Sequence, residues 1–74
     1  MRRVLVDSTS IRSIGYDPRR RELEIEFRST GEVYRYFGVS RQEHTEFMAA
    51  ESKGTYLNQV FKSKGHPYKK KEGE

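Results

Sequence analysis

The chain is 74 residues long, which is enough for one domain with a small core. Charged residues make up 35% of it and hydrophobic residues 32%, but five Tyr and four Phe supply large side chains for burial, which excludes a wholly disordered chain. Cysteine is absent, which excludes a disulfide framework. The longest apolar stretch near the start is residues 4–6, and the net charge is +4, so the composition predicts a soluble protein without membrane insertion.

Four extended segments are predicted in the first half of the chain. Residues 22–28 are the clearest of them, because hydrophobic and charged residues alternate without a break. Asp17 and Pro18 have the chemistry of a turn before this segment, and a Ser-Thr-Gly-Glu turn follows it. The four segments, in chain order, are residues 4–6, 11–16, 22–28 and 33–39.

The predicted turn between the third and fourth segments determines which residues face each other. A two-residue loop at Thr30 and Gly31 predicts three facing pairs. These pairs are Phe27 with Tyr34, Ile25 with Tyr36, and Glu26 with Arg35. One face of the hairpin is then apolar and aromatic, and the other carries an ion pair beside Val33 and Phe37.

Two short helices are predicted after the hairpin. Ser40 and Glu43 form a capping box that begins the first helix. Gly54 in the left-handed conformation is expected to end that helix. Thr55 is expected to cap the second helix, in which apolar residues recur four positions apart, and Gly65 to end it.

Together these elements predict an α+β fold. We expect a three- to four-stranded antiparallel meander sheet followed by two short helices packed on one face, with residues 4–6 as the optional fourth strand. Residues 1–66 are expected to form a single domain. Residues 67–74 are basic and have little to bury, so they are expected to form a mobile C-terminal tail.

Several motifs occur in the order and spacing of a known family. Tyr34 and Tyr36 form a Tyr-x-Tyr pair that follows Gly31. An Ala-x-Ser-x-Gly motif and a later asparagine fall on Ala50, Ser52, Gly54 and Asn58. Over residues 10–62 the chain therefore resembles the KTSC domain, which is named for a C-terminal segment of some lysyl-tRNA synthetases and also occurs as stand-alone bacterial and phage proteins. The chain departs from the family at Ser40, where we expect proline.

Basic residues concentrate in two clusters that are candidates for phosphate contact. The clusters are Arg19, Arg20 and Arg21 in the second turn, and Lys69, Lys70 and Lys71 near the C terminus. A sequence pI near 9.6 favours a polyanionic partner. The alternative interpretation of each cluster is ordinary solvated surface charge.

The junction between the two predicted helices is the candidate small-ligand site. Free amides at the start of a helix attract anions, and side chains nearby offer further donors. These side chains belong to Ser52, Lys53, Thr55, Asn58 and Lys62. Tyr34 and Tyr36 have two interpretations, packing in the core or stacking on bases. The sequence contains no catalytic constellation, metal-ligand spacing or cofactor motif, so we expect no enzymatic activity, no metal and no cofactor.

Three hypotheses for function remain open at this point. The basic clusters and the resemblance to the KTSC domain favour a cytoplasmic, non-enzymatic module that binds RNA. The first alternative is a homo-oligomer that binds or sequesters a small nucleotide near the helix junction. The second is a protein-interaction module that acts through Val33, Phe37 and Val39, and we expect self-association through the same strip.

Overall fold

A five-stranded antiparallel sheet with helices on one face makes up the fold. The computed structural model describes residues 1–71. The sheet consists of β1 (Arg3–Leu5), β2 (Ile11–Asp17), β3 (Glu22–Phe27), β4 (Val33–Phe37) and β5 (Tyr68–Lys70), paired in that order. Between β4 and β5 lie α1 (Arg41–Ala49) and α2 (Lys53–Tyr56), followed by a π-helical turn (Leu57–Phe61) and a 3₁₀ turn (Lys62–Lys64). The predicted α+β fold is confirmed, with more strands than expected.

The β3–β4 hairpin has the predicted faces but not the predicted register. Gly31 donates its amide to the Phe27 carbonyl at 2.9 Å, and the Phe27 amide donates to the Glu32 carbonyl at 2.9 Å. The turn therefore contains residues 28–31 instead of two residues, and the register is shifted by two positions. The observed pairs are Ile25 with Tyr34, Leu23 with Tyr36, and Glu24 with Arg35. Because side chains alternate between the two faces with a period of two residues, a shift of two positions leaves every side chain of the hairpin strands on its predicted face.

Helix α1 begins at its predicted capping box and ends earlier than expected. The Ser40 hydroxyl accepts from the Glu43 amide at 3.1 Å, and the Glu43 carboxylate accepts from the Ser40 amide at 3.2 Å. The last helical residue is Ala49, and the next residue is extended. None of the helices within the described residues has the length and hydropathy needed to cross a bilayer.

Helix α2 begins earlier than predicted, with a different cap. The Ser52 hydroxyl accepts from the Thr55 amide at 3.3 Å, so Ser52 and not Thr55 caps the helix. Gly54 lies inside α2 and does not have a positive φ, so the predicted glycine cap is wrong at this position. The chain leaves α1 through an extended Ala50 and enters α2 from an extended Ser52, so no left-handed residue is required between the helices. Gly65 does adopt a left-handed conformation, with φ of 69°, and ends the helical segment as predicted.

The helical layer covers the apolar face of the sheet. Phe47 of α1 and Leu57 and Phe61 of the π-helical turn are fully or almost fully buried. The other members of this core cluster are Val6, Ile11, Ile14, Leu23, Ile25, Tyr36 and Val39. The predicted packing face of the hairpin is therefore confirmed.

Residues 68–70 form a strand where the sequence predicts a mobile tail. β5 pairs antiparallel with β4, and the Lys71 amide extends the pairing by donating to the Val33 carbonyl at 2.8 Å. The prediction is wrong for this segment because the open edge of β4 offers backbone partners that composition alone does not reveal. The end of the predicted tail, residues 72–74, lies outside the described residues.

A buried carboxylate organises the sheet face that points away from the helices. Glu24 is 0% exposed, and its Oε1 lies 2.9 Å from Arg3 Nη1. Its Oε2 lies 2.8 Å from Arg35 Nη2 and 3.5 Å from Lys71 Nζ. The predicted pair between Glu26 and Arg35 is wrong, because the shifted register places Glu24 opposite Arg35.

The apolar strip predicted on this same face is largely buried within the chain. Val33 is 1% exposed, and Val39 is 0% exposed because it belongs to the core beneath the helices. Phe37 is half-buried. The strip therefore does not offer the exposed surface on which the protein-interaction and self-association hypotheses were based.

Candidate functional site

An open groove lies at the β4–β5 edge of the helix-covered sheet face. It has a volume of about 690 Å³ and extends from the β3–β4 turn to the turn at Gly65. Aromatic rings from the sheet and from the π-helical turn line it. We call this site the aromatic groove, and its rings belong to Phe27, Tyr34, Tyr36, Phe61 and Tyr68.

The rings of the aromatic groove form one continuous cluster. The ring centroid of Tyr68 lies 5.7 Å from that of Tyr34 and 5.5 Å from that of Tyr36. Tyr36 meets Phe61 edge-on at 5.0 Å, and Phe27 meets Tyr34 edge-on at 5.7 Å. These separations and angles are typical of favourable aromatic pairs. Each ring is therefore held by at least one neighbour.

Exposure differs strongly between the tyrosines of the aromatic groove. Tyr36 is 7% exposed and Tyr68 is 61% exposed, while Tyr34 is intermediate. Burial raises the pKa of the Tyr36 hydroxyl, and the nearby hydroxyls of Tyr68 and Tyr34 raise it further. The Tyr36 hydroxyl therefore keeps its proton at neutral pH, and Tyr68 presents its ring to solvent.

His66 contributes to the wall of the aromatic groove and is held there by Glu43. Its Nε2 lies 2.6 Å from Glu43 Oε2, and its ring centroid is 5.0 Å from that of Phe61. Burial raises the pKa of Glu43, but hydrogen bonds from His66 and the Ser40 amide outweigh this effect and leave the pKa below its ordinary value. Glu43 thus both caps α1 and positions His66. No group of three or more His, Asp or Glu side chains within residues 1–71 could hold a metal ion.

Polar groups occupy both ends of the aromatic groove. The exposed Lys62 lies at the helical end. Ser29, Thr30 and Glu32 lie at the other end, in and after the β3–β4 turn. Glu32 Oε2 forms an ion pair with Lys70 Nζ at 2.6 Å. One end therefore offers a positive charge, and the other offers hydroxyls and a carboxylate.

The predicted junction site lies in a second groove of about 450 Å³, separate from the first. Its predicted members are Ser52, Lys53, Thr55 and Asn58. The Ser52 hydroxyl donates to the Thr55 hydroxyl at 2.9 Å, and Lys53 Nζ donates to the Ala50 carbonyl at 3.1 Å. These groups already have partners within the chain. The other predicted members, Lys62, Tyr34 and Tyr36, line the aromatic groove instead.

The two predicted basic clusters have different surroundings. The arginines Arg19, Arg20 and Arg21 are exposed in the β2–β3 turn. Lys69 is exposed on β5, whereas Lys70 and Lys71 make ion pairs with Glu32 and Glu24. Of the three lysines, Lys70 therefore lies on the side of the aromatic groove, and the arginines lie at the end of the sheet opposite the β3–β4 turn.

Eight of the residues that line the aromatic groove are not among the predicted site residues, and they include Glu32, Phe61, His66 and Tyr68. Tyr68 is the most informative of these, because the tail prediction removed it from the fold. In β5, Tyr68 and Lys70 lie on the side of the aromatic groove, while Lys69 and Lys71 lie on the side of Glu24. The sequence Tyr-Lys-Lys-Lys itself does not alternate between apolar and polar residues, so the pattern of this segment does not indicate a strand.

Comparison with known proteins defines the family to which this small α+β domain belongs. A sequence model of the KTSC domain matches residues 7–64. The crystal structure of a KTSC domain protein from Yersinia pestis is similar, with a TM-score of 0.87 and 46% sequence identity, over 95% of this chain and 96% of that one. The chain belongs to the KTSC domain family, as its motifs predict.

Two bacterial proteins are also similar in sequence. A protein from Stutzerimonas stutzeri strain A1501 is 44% identical over 68 residues, which cover 92% of this chain and 94% of the relative. A protein from Tsukamurella paurometabola is 35% identical over 57 residues, which cover 77% of this chain and 84% of the relative. The similarity therefore extends over most of each relative.

Proposed function

We propose that this protein is a non-enzymatic module that binds single-stranded RNA in the aromatic groove, and that it acts in the cytoplasm. The observation that carries the proposal is the row of tyrosine rings from the buried Tyr36 to the exposed Tyr68, next to the exposed Lys62. Proteins that bind single strands combine aromatic rings, on which bases stack, with a basic surface that follows the phosphates.

The exposed ring of Tyr68 is the surface on which a base stacks in this proposal. Tyr34 and Tyr36 contact the ring from within the groove, and 61% of the residue remains open to solvent. A ring that neighbours already hold loses little conformational freedom on binding, so more of the stacking energy is retained. Single-stranded RNA suits this surface because its unpaired bases are free to stack on aromatic side chains.

Lysines beside the aromatic groove supply the attraction for phosphates. Lys62 lines the groove and is exposed on the 3₁₀ turn together with Lys64, and the exposed Lys70 of β5 lies on the groove side of the sheet. The exposed arginines of residues 19–21 continue the basic surface at the far end of the sheet. Binding through phosphates releases counterions, so the affinity for RNA should fall steeply as the salt concentration rises.

The other two hypotheses have less support from the arrangement of side chains. In the junction groove, Ser52, Thr55 and Lys53 already form hydrogen bonds within the chain, and a nucleotide would have to compete with them. The strip proposed for protein interaction includes Val33 and Val39, which are both buried. In the aromatic groove, the ring of Tyr68 and the side chain of Lys62 are both exposed.

A pair of variants at Tyr68 tests the proposal. Tyr68→Ala removes the stacking ring and should weaken binding of a labelled single-stranded RNA by about tenfold or more, since stacking contributes about 1–3 kcal/mol per base. Tyr68→Phe keeps the ring and should bind like the parent protein. Fluorescence anisotropy at several salt concentrations measures affinity, and circular dichroism shows whether both variants fold. Equal RNA affinities for the two folded variants, or affinity insensitive to salt, would contradict the proposal.

A further inference from the structure

The β3–β4 end of the aromatic groove contains a carboxylate beside the stacking rings. Glu32 precedes Tyr34 by two residues, so the two side chains lie on the same sheet face about 7 Å apart along the strand. Glu32 Oε2 lies 2.6 Å from Lys70 Nζ in an ion pair, and the side chain is 34% exposed.

A hydroxyl donor lies next to this carboxylate. Thr30 Oγ1 accepts from the Glu32 amide at 3.2 Å, which leaves the hydroxyl proton of Thr30 available to a ligand. Both residues line the aromatic groove. The end of the groove therefore combines two carboxylate oxygens, which only accept hydrogen bonds, with an adjacent group that can donate one.

Among the RNA bases, guanine matches this pattern on its Watson–Crick edge. Guanine has two adjacent donors there, the N1–H and the N2 amino group, followed by the O6 acceptor. Adenine, cytosine and uracil each present a single donor next to an acceptor, and this acceptor would face a carboxylate oxygen. Unpaired bases in RNA are commonly recognised on this edge while they stack on aromatic rings.

We propose that the aromatic groove prefers guanine and that Glu32 is the residue that determines this specificity, an inference that rests on the proposed RNA binding. The guanine ring stacks beside Tyr34, which lies two residues from Glu32, its two donors bond to the Glu32 carboxylate, and O6 accepts from the Thr30 hydroxyl. Lys70 holds the carboxylate at the end of the groove, and its positive charge offsets the repulsion between Glu32 and the RNA phosphates.

The test measures the affinity for short oligouridine strands that carry one guest base at the centre. We expect the guanine strand to bind about tenfold or more tightly than the adenine, cytosine and uracil strands, as for other bidentate contacts to a base. A strand with inosine, which lacks the N2 amino group, should bind with intermediate affinity. Glu32→Gln should reduce the preference for guanine to about twofold while still binding oligouridine, since an amide replaces one acceptor by a donor.

The control variant is Glu51→Gln, which removes the same charge from an exposed side chain in the other groove. It should keep the full preference for guanine. Equal affinity for all guest bases, with oligouridine still bound, would overturn the inference and leave the proposed RNA binding intact. A lack of binding to every strand would overturn the proposed function itself. A guanine preference unchanged in a folded Glu32→Gln variant would remove Glu32 from the role assigned to it.

Discussion

Tyr36 belongs to the core and to the aromatic groove at the same time. Its ring meets Phe61 edge-on beneath the helices, and its other neighbour is the exposed Tyr68. In the sheet it lies opposite Leu23, which is 0% exposed. A substitution at Tyr36 therefore affects folding before it affects ligand binding, and Tyr68 is the better position for a test of function.

We predict that Tyr36→Ala lowers the free energy of unfolding by about 3 kcal/mol or more, because truncation of a buried aromatic residue leaves a cavity. Tyr36→Phe is the matched control, since it keeps the ring and its contact with Phe61, and it should cost less than about 1 kcal/mol. Urea unfolding followed by circular dichroism measures both changes. An unchanged midpoint for Tyr36→Ala would show that this ring does not support the core.

β5 closes the sheet edge and supplies one wall of the aromatic groove. All three of its residues are exposed, so burial contributes little to its stability. Its backbone pairing with β4, the ring contacts of Tyr68 and the ion pairs of Lys70 and Lys71 hold it in place. Elements with few buried contacts open at a lower free energy than the core, so β5 is expected to exchange its amide hydrogens earlier than β3.

Ending the chain after Pro67 is predicted to lower the free energy of unfolding by about 1–3 kcal/mol, because each cross-strand pair contributes about 0.2–1 kcal/mol. RNA binding should be lost in the same variant, since Tyr68 is removed. A chain that ends after Lys71 keeps β5 and should lose less stability and retain binding. Thermal unfolding and fluorescence anisotropy measure the two properties. If both truncated chains melt together with the full chain, the pairing of β5 with β4 does not contribute to stability.

The charges of the whole molecule make its stability depend on pH. Burial raises the pKa of Glu24, but hydrogen bonds from Arg35 and Arg3, together with the charge of Lys71, outweigh burial and hold the pKa below its ordinary 4.5. Burial lowers the pKa of His44 below its ordinary 6.5. Both groups therefore bind protons less readily in the folded protein than in the unfolded chain, and acid favours unfolding.

We predict that stability declines in two stages as the pH falls. The first stage begins near pH 6.5, where His44 of the unfolded chain takes up a proton. The second lies below pH 4.5, since the stability from ionised Glu24 is fully present above that value and is lost as the pH falls through the lower folded pKa. Chemical unfolding between pH 7 and pH 3 measures both stages.

Glu24→Gln separates the contribution of the buried carboxylate. The variant should be less stable at neutral pH by about 2 kcal/mol, because three basic side chains lose their common acceptor. Its stability should also change less below pH 4.5, whereas the exposed control Glu51→Gln should follow the parent protein. Parallel curves for Glu24→Gln and the parent would contradict the role of Glu24.

Self-association of the molecule stays a prediction, without the exposed strip that first motivated it.

Local patterns in the sequence were sufficient for most of the fold. The alternation over residues 22–28 predicted β3 and its buried face, and the Ser40 to Glu43 spacing predicted the start of α1. The motifs around Tyr34 and Tyr36 indicated the family. Each of these features depends on neighbours only a few residues away, so it can be recognised without knowledge of the rest of the chain.

Only the tertiary structure decided where the groove lies and which residues share it. The hairpin register depended on hydrogen bonds across a four-residue turn, and the shift paired Arg35 with Glu24 instead of Glu26. Tyr68 became part of the sheet because β4 had an open edge, a property of the assembled fold and not of the segment itself. Tyr34, Phe61 and Tyr68 are distant in sequence, and long-range pairing brings their rings to one edge, where the candidate site is formed.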